Sequence, residues 1–543
     1  MAVEYSSYSI RHMLSCSIST HFSAFSGQFG DVTDEMAGWN IRLVAAVLLI
    51  TISLWLFGDL RSVPRRFVDT TSDAAPAEDN PAESLSPWRL KPHGLRGLSP
   101  MVEISTLYLQ AVSRSNLSLE LIEEIDVELP PFALLDKQNS EETSPFEVRS
   151  LSLPSIPPPA DASSIIFGVA TTLERLDDSL DAFSHWAAGT GATIVALVPP
   201  PEPSSTSDPE TSEPLHPHFH SLTSALVQEK AHALSIKLSI YESSADYITR
   251  YISLLSLIHD QATTTPTTKW ASIIDDDTFF LSTPRLLTAL SKYNATYPHY
   301  VGGLTEDLAA LSSWGYLAYG GAGLFLSIPL LTQLQPYLPT CLAFPIVSGD
   351  GKLAECIYRF TTTKLSVERG LNQVDLFGDH TGFYEAVRPL PVSVHHWKSW
   401  GHYDMLVTSA VATVTGQDSL LQKFHLRGGW WMTHGFSIVK FSDENEGESE
   451  NLLEGDHQDI PSPRYLTHRE GGMERTFTDP GPTTEKSFLH SLEPLRPRDE
   501  GKIQYMIETA VVENSRTMSL YYVRRVNGVG EGVIRVIWTR AGR

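Results

Sequence analysis

From about position 163 the chain alternates apolar stretches of strand length with stretches of helical spacing. Ser164-Ile-Ile-Phe-Gly-Val-Ala reads as a buried strand, and apolar residues then recur at helical intervals from Leu173 to Trp186. Ala192-Thr-Ile-Val-Ala-Leu-Val is a second strand. His220 to Ala233 is a helix, Ile236 to Tyr241 a strand, Tyr247 to His259 a helix and Ala271 to Ile274 a further strand. Such alternation predicts an α/β fold with a largely parallel sheet, whose ligands sit beyond the carboxyl ends of the strands. An apolar run, Leu324-Phe-Leu-Ser-Ile, and a helix over Lys352 to Phe360 follow. Near the C-terminus, Ser519-Leu-Tyr-Tyr-Val and Gly532-Val-Ile-Arg-Val-Ile-Trp predict an appended β element.

The flanking pattern differs. Residues 59–160 are rich in Pro, Ser and acidic residues, which predicts a stem or spacer with one helical patch around Val102 to Ile125. Pro199 to Pro217 reads as a surface insertion, and Ser442 to Asp459 as an acidic loop too poor in hydrophobes to fold. Leu43 to Gly58 carries no charge and lies between Arg42 and Asp59. The run is short for a spanning helix, which usually needs about twenty residues. With no core around it, it reads as a signal anchor. By charge alone, Arg61, Arg65 and Arg66 after the run outweigh Arg42 before it and favour a cytosolic body.

Composition narrows the function classes. Across 543 residues the net charge is −24, which argues against a nucleic-acid partner and against docking on anionic lipid. Three cysteines do not make a disulfide scaffold. Spacing leaves Cys341 and Cys356 open to a single bridge or to two buried thiols. Two glycosylation sequons are present, Asn116-Leu117-Ser118 and Asn294-Ala295-Thr296.

The candidate chemistry centres on Asp275, Asp276 and Asp277, between Ile273-Ile274 and Phe279-Phe280. A bare acidic triplet is commonly a solvated turn, but apolar flanks on both sides are unusual for one. Adjacent carboxylates beside a buried strand repel each other and resist desolvation, a conflict that a divalent cation relieves. Further candidates are Tyr319-Gly320-Gly321-Ala322-Gly323, a turn that lets a ligand approach the backbone, and Val301-Gly302-Gly303-Leu304-Thr305-Glu306, a strand end with a carboxylate. Asp350, in Ser348-Gly349-Asp350-Gly351, fits either a helix N-cap or a general base. His395 and His396 follow Val392-Ser393-Val394. Alternation along this run puts them on opposite faces of a strand, so at most one binds metal.

These strings, in this order and with Gln373-Val374-Asp375-Leu376-Phe377-Gly378, resemble the Fringe-like β-1,3-glycosyltransferases of family 31, in the branch of plants and fungi. The resemblance spans roughly 163–403. It implies a GT-A fold over 161–405, with a cytosolic tail (1–42), a transmembrane anchor (43–58), a stem (59–160) and a C-terminal extension (406–543) containing the acidic loop 442–460. It further implies transfer from a UDP-sugar with inversion to a glycan, glycoprotein or glycolipid acceptor, in a type II protein of the Golgi membrane with a luminal body. Within it, Asp277 and His395 would hold Mn²⁺ or Mg²⁺, Asp275 and Asp276 would face the nucleotide and sugar, and Gly320, Gly321, Gly323 and Glu306 would line the donor site. Asp350 would be the base. Cys341 and Cys356 match positions that are paired in relatives. One departure stands out: relatives carry two adjacent acidic residues where this chain has Asp350-Gly351. That departure admits a non-catalytic luminal binding or folding-helper protein as the rival reading.

Overall fold

The computed structural model describes residues 95–114, 122–136, 148–156, 158–201, 222–376, 380–386, 388–401, 403–441 and 502–541. The expected anchor (43–58), residues 202–217 of the expected insertion, the first sequon and the acidic loop 442–460 lie outside the described residues. Among those described, no helix is long and apolar enough to cross a membrane.

Four strands come first: β1 (Leu98–Arg114), β2 (Ile122–Glu124), β3 (Ala133–Asp136) and β4 (Val148–Pro154). This corrects the helical patch expected around Val102 to Ile125. It also means that much of the expected spacer is strand where it is described. The cause lies in β1, where Val102 and Ile104 serve one apolar cluster while Leu107, Leu109 and Ala111 serve another. The buried side chains therefore change phase along the strand, and its period-2 signal is lost.

The α/β body matches the expectation closely. It comprises β5 (Ile165–Ala170), α1 (Leu173–Ala187), β6 (Thr193–Val198), α2 (Ser224–Ala233), β7 (Lys237–Glu242), α3 (Tyr247–Thr264) and β8 (Trp270–Ile274). It continues with β9 (Phe279–Phe280), α4 (Thr283–Ser291), β10 (Tyr300–Gly302), α5 (Leu308–Trp314) and β11 (Leu324–Ser327). Next are α6 (Ile328–Leu334), α7 (Leu338–Leu342), α8 (Gly349–Phe360), β12 (Leu365–Val367), α9 (Thr381–Glu385), β13 (Ser393–Val394) and α10 (Met405–Thr415). Side-chain caps set the helix starts: Thr172 accepts from Arg175 N, Asp246 from Thr249 N and Ser282 from Arg285 N.

Seven strands form one sheet in the order β12-β10-β11-β8-β5-β6-β7, in which only β11 runs against its neighbours. Each residue of β5 is buried, as a central strand covered on both faces requires. Gly168 is needed there because a Cβ would stand 2.8 Å from Ile258 Cδ1 of α3. Strand order reverses between β5 and β8, so their carboxyl ends form the crevice where ligands of such sheets bind.

The chain then adds β14 (Lys423–Leu426), β15 (Trp430–Thr433), β16 (Ser437–Phe441), β17 (Lys502–Asn514), β18 (Thr517–Val526) and β19 (Val529–Arg540). Together with β1 to β4 they form a second sheet, β2-β14-β15-β16-β17-β18-β19-β1-β3, with β4 paired to β1. The predicted C-terminal β element is therefore present and completed by the N-terminal strands. Its core also takes in Phe279, Leu281, Val394 and Trp397. The second sheet thus supports the loops that follow β8 and β13.

Candidate active site

Asp275, Asp276 and Asp277 follow directly on β8 at the strand-order reversal. Two residues later β9 begins, and it pairs antiparallel with β13, Phe280 opposite Ser393 and Phe279 opposite Val394. Extending that register by one and two positions brings His395 and His396 alongside Thr278 and Asp277. The result is contact between distant residues: His395 Nε2 lies 2.8 Å from Asp277 Oδ1 and 3.5 Å from Asp275 Oδ2.

The glycine turn closes this arrangement from behind. Thr278 Oγ1 donates to Gly321 O at 2.8 Å, and Ser393 Oγ donates to Ala322 O at 2.6 Å. Gly320, Gly321 and Gly323 are all buried. A Cβ on Gly321 would meet the His395 ring at 2.1 Å, and one on Gly320 would meet Tyr251 Oη at 2.7 Å. Gly323 adopts φ +89°, a conformation that favours glycine.

The expected opposite orientation of the histidines is overturned. Strand β13 ends at Val394, and His396 adopts φ +53°, which breaks the alternation. The two rings lie 3.7 Å apart, with His396 stacked on Trp400. Ligand atoms of Asp277, His395 and His396 all fall within 4.8 Å of one another. The histidines differ in what else they do. His396 Nε2 donates to Asp375 Oδ1 at 3.2 Å, and its Nδ1 accepts from Ser399 Oγ at 3.0 Å. The Nδ1 of His395 is buried and has no hydrogen-bond partner. An imidazole nitrogen facing carboxylate oxygens fits a divalent transition metal such as Mn²⁺.

Charge separates the three acids. Burial pushes Asp277 up, but His395 beside it holds its carboxyl well below the usual range. His395 is driven down by burial and up by Asp277 and Asp275, and ends at about 9. Asp275, its side chain 31% exposed at the crevice mouth, is raised by desolvation to about 6, against the pull of His395. Its Oδ1 accepts from Tyr247 Oη at 3.2 Å. Asp276 is 4% exposed and turns away to Thr171 Oγ1 and to Arg175, whose Nε lies 2.6 Å from Oδ2.

Asp350 sits across the glycine turn, its Oδ2 accepting from Gly320 N at 3.4 Å. It does not cap α8. Ser348 is the cap, its Oγ accepting from Gly351 N at 3.1 Å, while Asp350 Oδ1 accepts from the same N–H at 2.8 Å. Burial raises the Asp350 carboxyl, opposed by these bonds. A Cβ at Gly351 would stand 2.5 Å from Ser348 Oγ, so a second acid there would require the capping hydroxyl to shift. Helix α8 is tied to α7 by the Cys341–Cys356 disulfide, and its start is held by buried Lys352, whose Nζ donates to Leu342 O at 2.7 Å.

Glu306 is brought to Asp375 rather than to the triplet. It is 2% exposed and accepts from Val374 N at 2.6 Å. Burial, with Asp375 nearby, raises it to about 7. Asp375 accepts from Thr305 Oγ1 at 2.6 Å and orients His396. Sequence reasoning gave no role to Asp375, Arg175 or Lys398. The only available signal for Asp375 was its place in the Gln373-to-Gly378 string.

Comparison with known proteins adds modest likenesses. No curated protein matches the chain. Among solved structures, it is similar to a glycosyltransferase involved in glycosylation of the major capsid of PBCV-1, at 12% identity over 42% of this chain and 93% of that one, with a TM-score of 0.23. It is similar to a 4-diphosphocytidyl-2C-methyl-D-erythritol synthase from Anaerococcus prevotii, at 10% identity over 39% and 90%, TM-score 0.26. A mannosyltransferase from Pyrobaculum calidifontis, solved with GDP-Man and Mn²⁺, aligns at 12% identity over 38% of this chain and 56% of that one, TM-score 0.23. Residues 311–404, which carry the glycine turn, Asp350, Asp375 and both histidines, match the profile of a family described as a protein of unknown function, DUF604.

Proposed function

We propose that this chain is a metal-dependent, inverting glycosyltransferase of the Fringe-like β-1,3 type. It moves a hexose or N-acetylhexosamine from a UDP-sugar to a hydroxyl of a glycan acceptor. The observation that carries this reading is the 2.8 Å approach of His395 to Asp277 at the strand-order reversal. His395 is favoured over His396 as the metal ligand because its Nε2 faces the carboxylates of Asp277 and Asp275, whereas Nε2 of His396 is held by Asp375 and its Nδ1 by Ser399.

Asp277 and His395 would hold Mn²⁺ or Mg²⁺, which when bound supplies positive charge to offset a leaving diphosphate. Asp275, at the crevice mouth, faces the donor. Asp350 takes the proton of the acceptor hydroxyl as its oxygen bonds to the anomeric carbon. The carbon–oxygen bond to the diphosphate breaks, and its electron pair leaves with UDP. A raised carboxyl suits this role, because a stronger base draws the proton more readily. The same reading places the protein in the Golgi membrane, anchored through 43–58 with a luminal body. The Cys341–Cys356 bridge is in keeping with an oxidising lumen.

Gly351 keeps the rival in view, a luminal nucleotide-sugar or glycan-binding protein that does not turn over. Incubating the purified chain with a panel of nucleotide sugars and Mn²⁺, with EDTA as control, separates the two. Metal-dependent UDP release that rises with an acceptor glycan is the expected result. Binding of UDP-sugar without release from any donor favours the rival, and no binding at all rejects both.

A further inference from the structure

Asp276 differs from its neighbours in being paired with Arg175 and Lys398 rather than with His395. Arg175 grips it with a fork, Nε to Oδ2 at 2.6 Å and Nη2 to Oδ1 at 2.5 Å. Thr171 Oγ1 donates to the same Oδ2. Lys398 adds a second cation, its Nζ 3.9 Å from Oδ1. That ammonium also donates to the main-chain oxygen of Asp276 at 3.2 Å and to Ser179 Oγ at 2.9 Å. These partners come from three places: Thr171 directly follows β5, Arg175 and Ser179 lie on α1, and Lys398 lies three residues after His395.

Three adjacent carboxylates at a sheet edge are self-repelling, and a buried one without a partner is strongly unfavourable. Pairing the middle acid leaves the charge available to a cation on the two outer ones. The same clamp ties the histidine loop to the triplet. We infer that Asp276 is not a ligand of the cation or the donor but the counter-ion of Arg175 and Lys398, and that Arg175 and Lys398 are positioning residues that act through it. This revises the expectation that Asp276 faces the nucleotide, and it rests on the metal reading above.

The test is a Mn²⁺ titration of the full chain, followed by calorimetry or by the paramagnetic signal of free Mn²⁺. Asp277→Asn should abolish binding. D276N should weaken it by about tenfold, because Arg175 and Lys398 are left unneutralised beside the site. Adding R175M to D276N should restore affinity to within about threefold of the unsubstituted chain, since a pair removed together leaves the charge balance unchanged. A ligand oxygen lost from Asp276 cannot be restored in that way. A double variant still about tenfold weaker therefore overturns the inference while the D277N result leaves the metal reading standing. The double variant carries the test even if D276N alone does not fold. If the unsubstituted chain binds no Mn²⁺, the metal reading fails and this inference fails with it.

Discussion

Gly321 lies directly behind His395, so close that a Cβ added to it would stand 2.1 Å from the imidazole Cε1. The position of the candidate metal ligand is therefore set by the absence of a side chain elsewhere. Gly321→Ala should push the ring off Asp277 and weaken Mn²⁺ binding by at least about tenfold, because the displaced atoms are ring atoms in a packed setting. Far-ultraviolet dichroism should be unchanged. Unaltered Mn²⁺ affinity in a folded G321A variant would show that His395 is not held by this contact.

Asp350→Asn keeps the side chain's shape and its acceptor oxygen but removes the base. Transfer should fall by about 10²- to 10⁴-fold, while UDP binding in the presence of Mn²⁺ stays near that of the unsubstituted chain. Single-turnover rates and nucleotide affinity, measured together, separate these effects. Near-normal turnover would remove Asp350 from the mechanism.

Glu306 offers a prediction in pH. Its carboxyl is raised from 4.5 to about 7, first by burial and then by Asp375. Between those values the folded chain holds a proton that the unfolded chain has lost, so stability falls as pH rises through this window. Glu306→Gln removes that slope. The variant should gain denaturation midpoint over the unsubstituted chain at pH 8 and lose the advantage at pH 5. An equal difference at both pH values would contradict the burial argument.

The Cys341–Cys356 bridge joins α7 to the helix that carries Asp350. Closing a loop of this length contributes about 3 kcal/mol on chain-entropy grounds. Replacing both cysteines with alanine should lower the thermal midpoint by several degrees and reduce turnover more than nucleotide binding. A melt unchanged by reductant and by the substitution would show that the bridge does not form in solution.

Asn294 is exposed in the turn after α4, and Thr296 Oγ1 donates to its Oδ1 at 2.8 Å. A luminal body should therefore carry a glycan at Asn294 when made in a secretory cell. Endoglycosidase treatment should shift the mobility of the chain, with a smaller shift in N294Q. No difference between the two would count against the luminal assignment.

The sequence exposed the α/β body because its central strands, β5, β6 and β8, are covered on both faces and alternate with helices of different period. β5, β6 and β8 are apolar almost throughout, β7 at the sheet edge alternates, and the boundaries of all four fall within a few residues of the expected ones. The pairing of Asp277 with His395 was reached only through resemblance, since the β9–β13 ribbon that joins them is two residues long on each side. So short an element has no periodicity to read. The placement of His396 has the same origin: the strand stops at Val394, two residues before alternation would reach His396. Arg175 and Lys398 gave no signal because a lone cation on an amphipathic helix or loop looks like any solvated charge. Their partner, Asp276, is distant in sequence. β1 was misread because its burial serves two clusters in succession.

That first strand runs parallel to the last one, with Glu103 beside Gly532 and Ala111 beside Arg540. Thr539 reaches across to Leu109 over a separation of 430 residues. A ribosome adding about 5–20 residues per second needs roughly 20–90 s to supply that neighbour. Until then the edge of this strand opposite β3 and β4 stays unpaired, a natural client for chaperones. A premature stop that spares the α/β body would still leave the newborn chain unclasped at its front end.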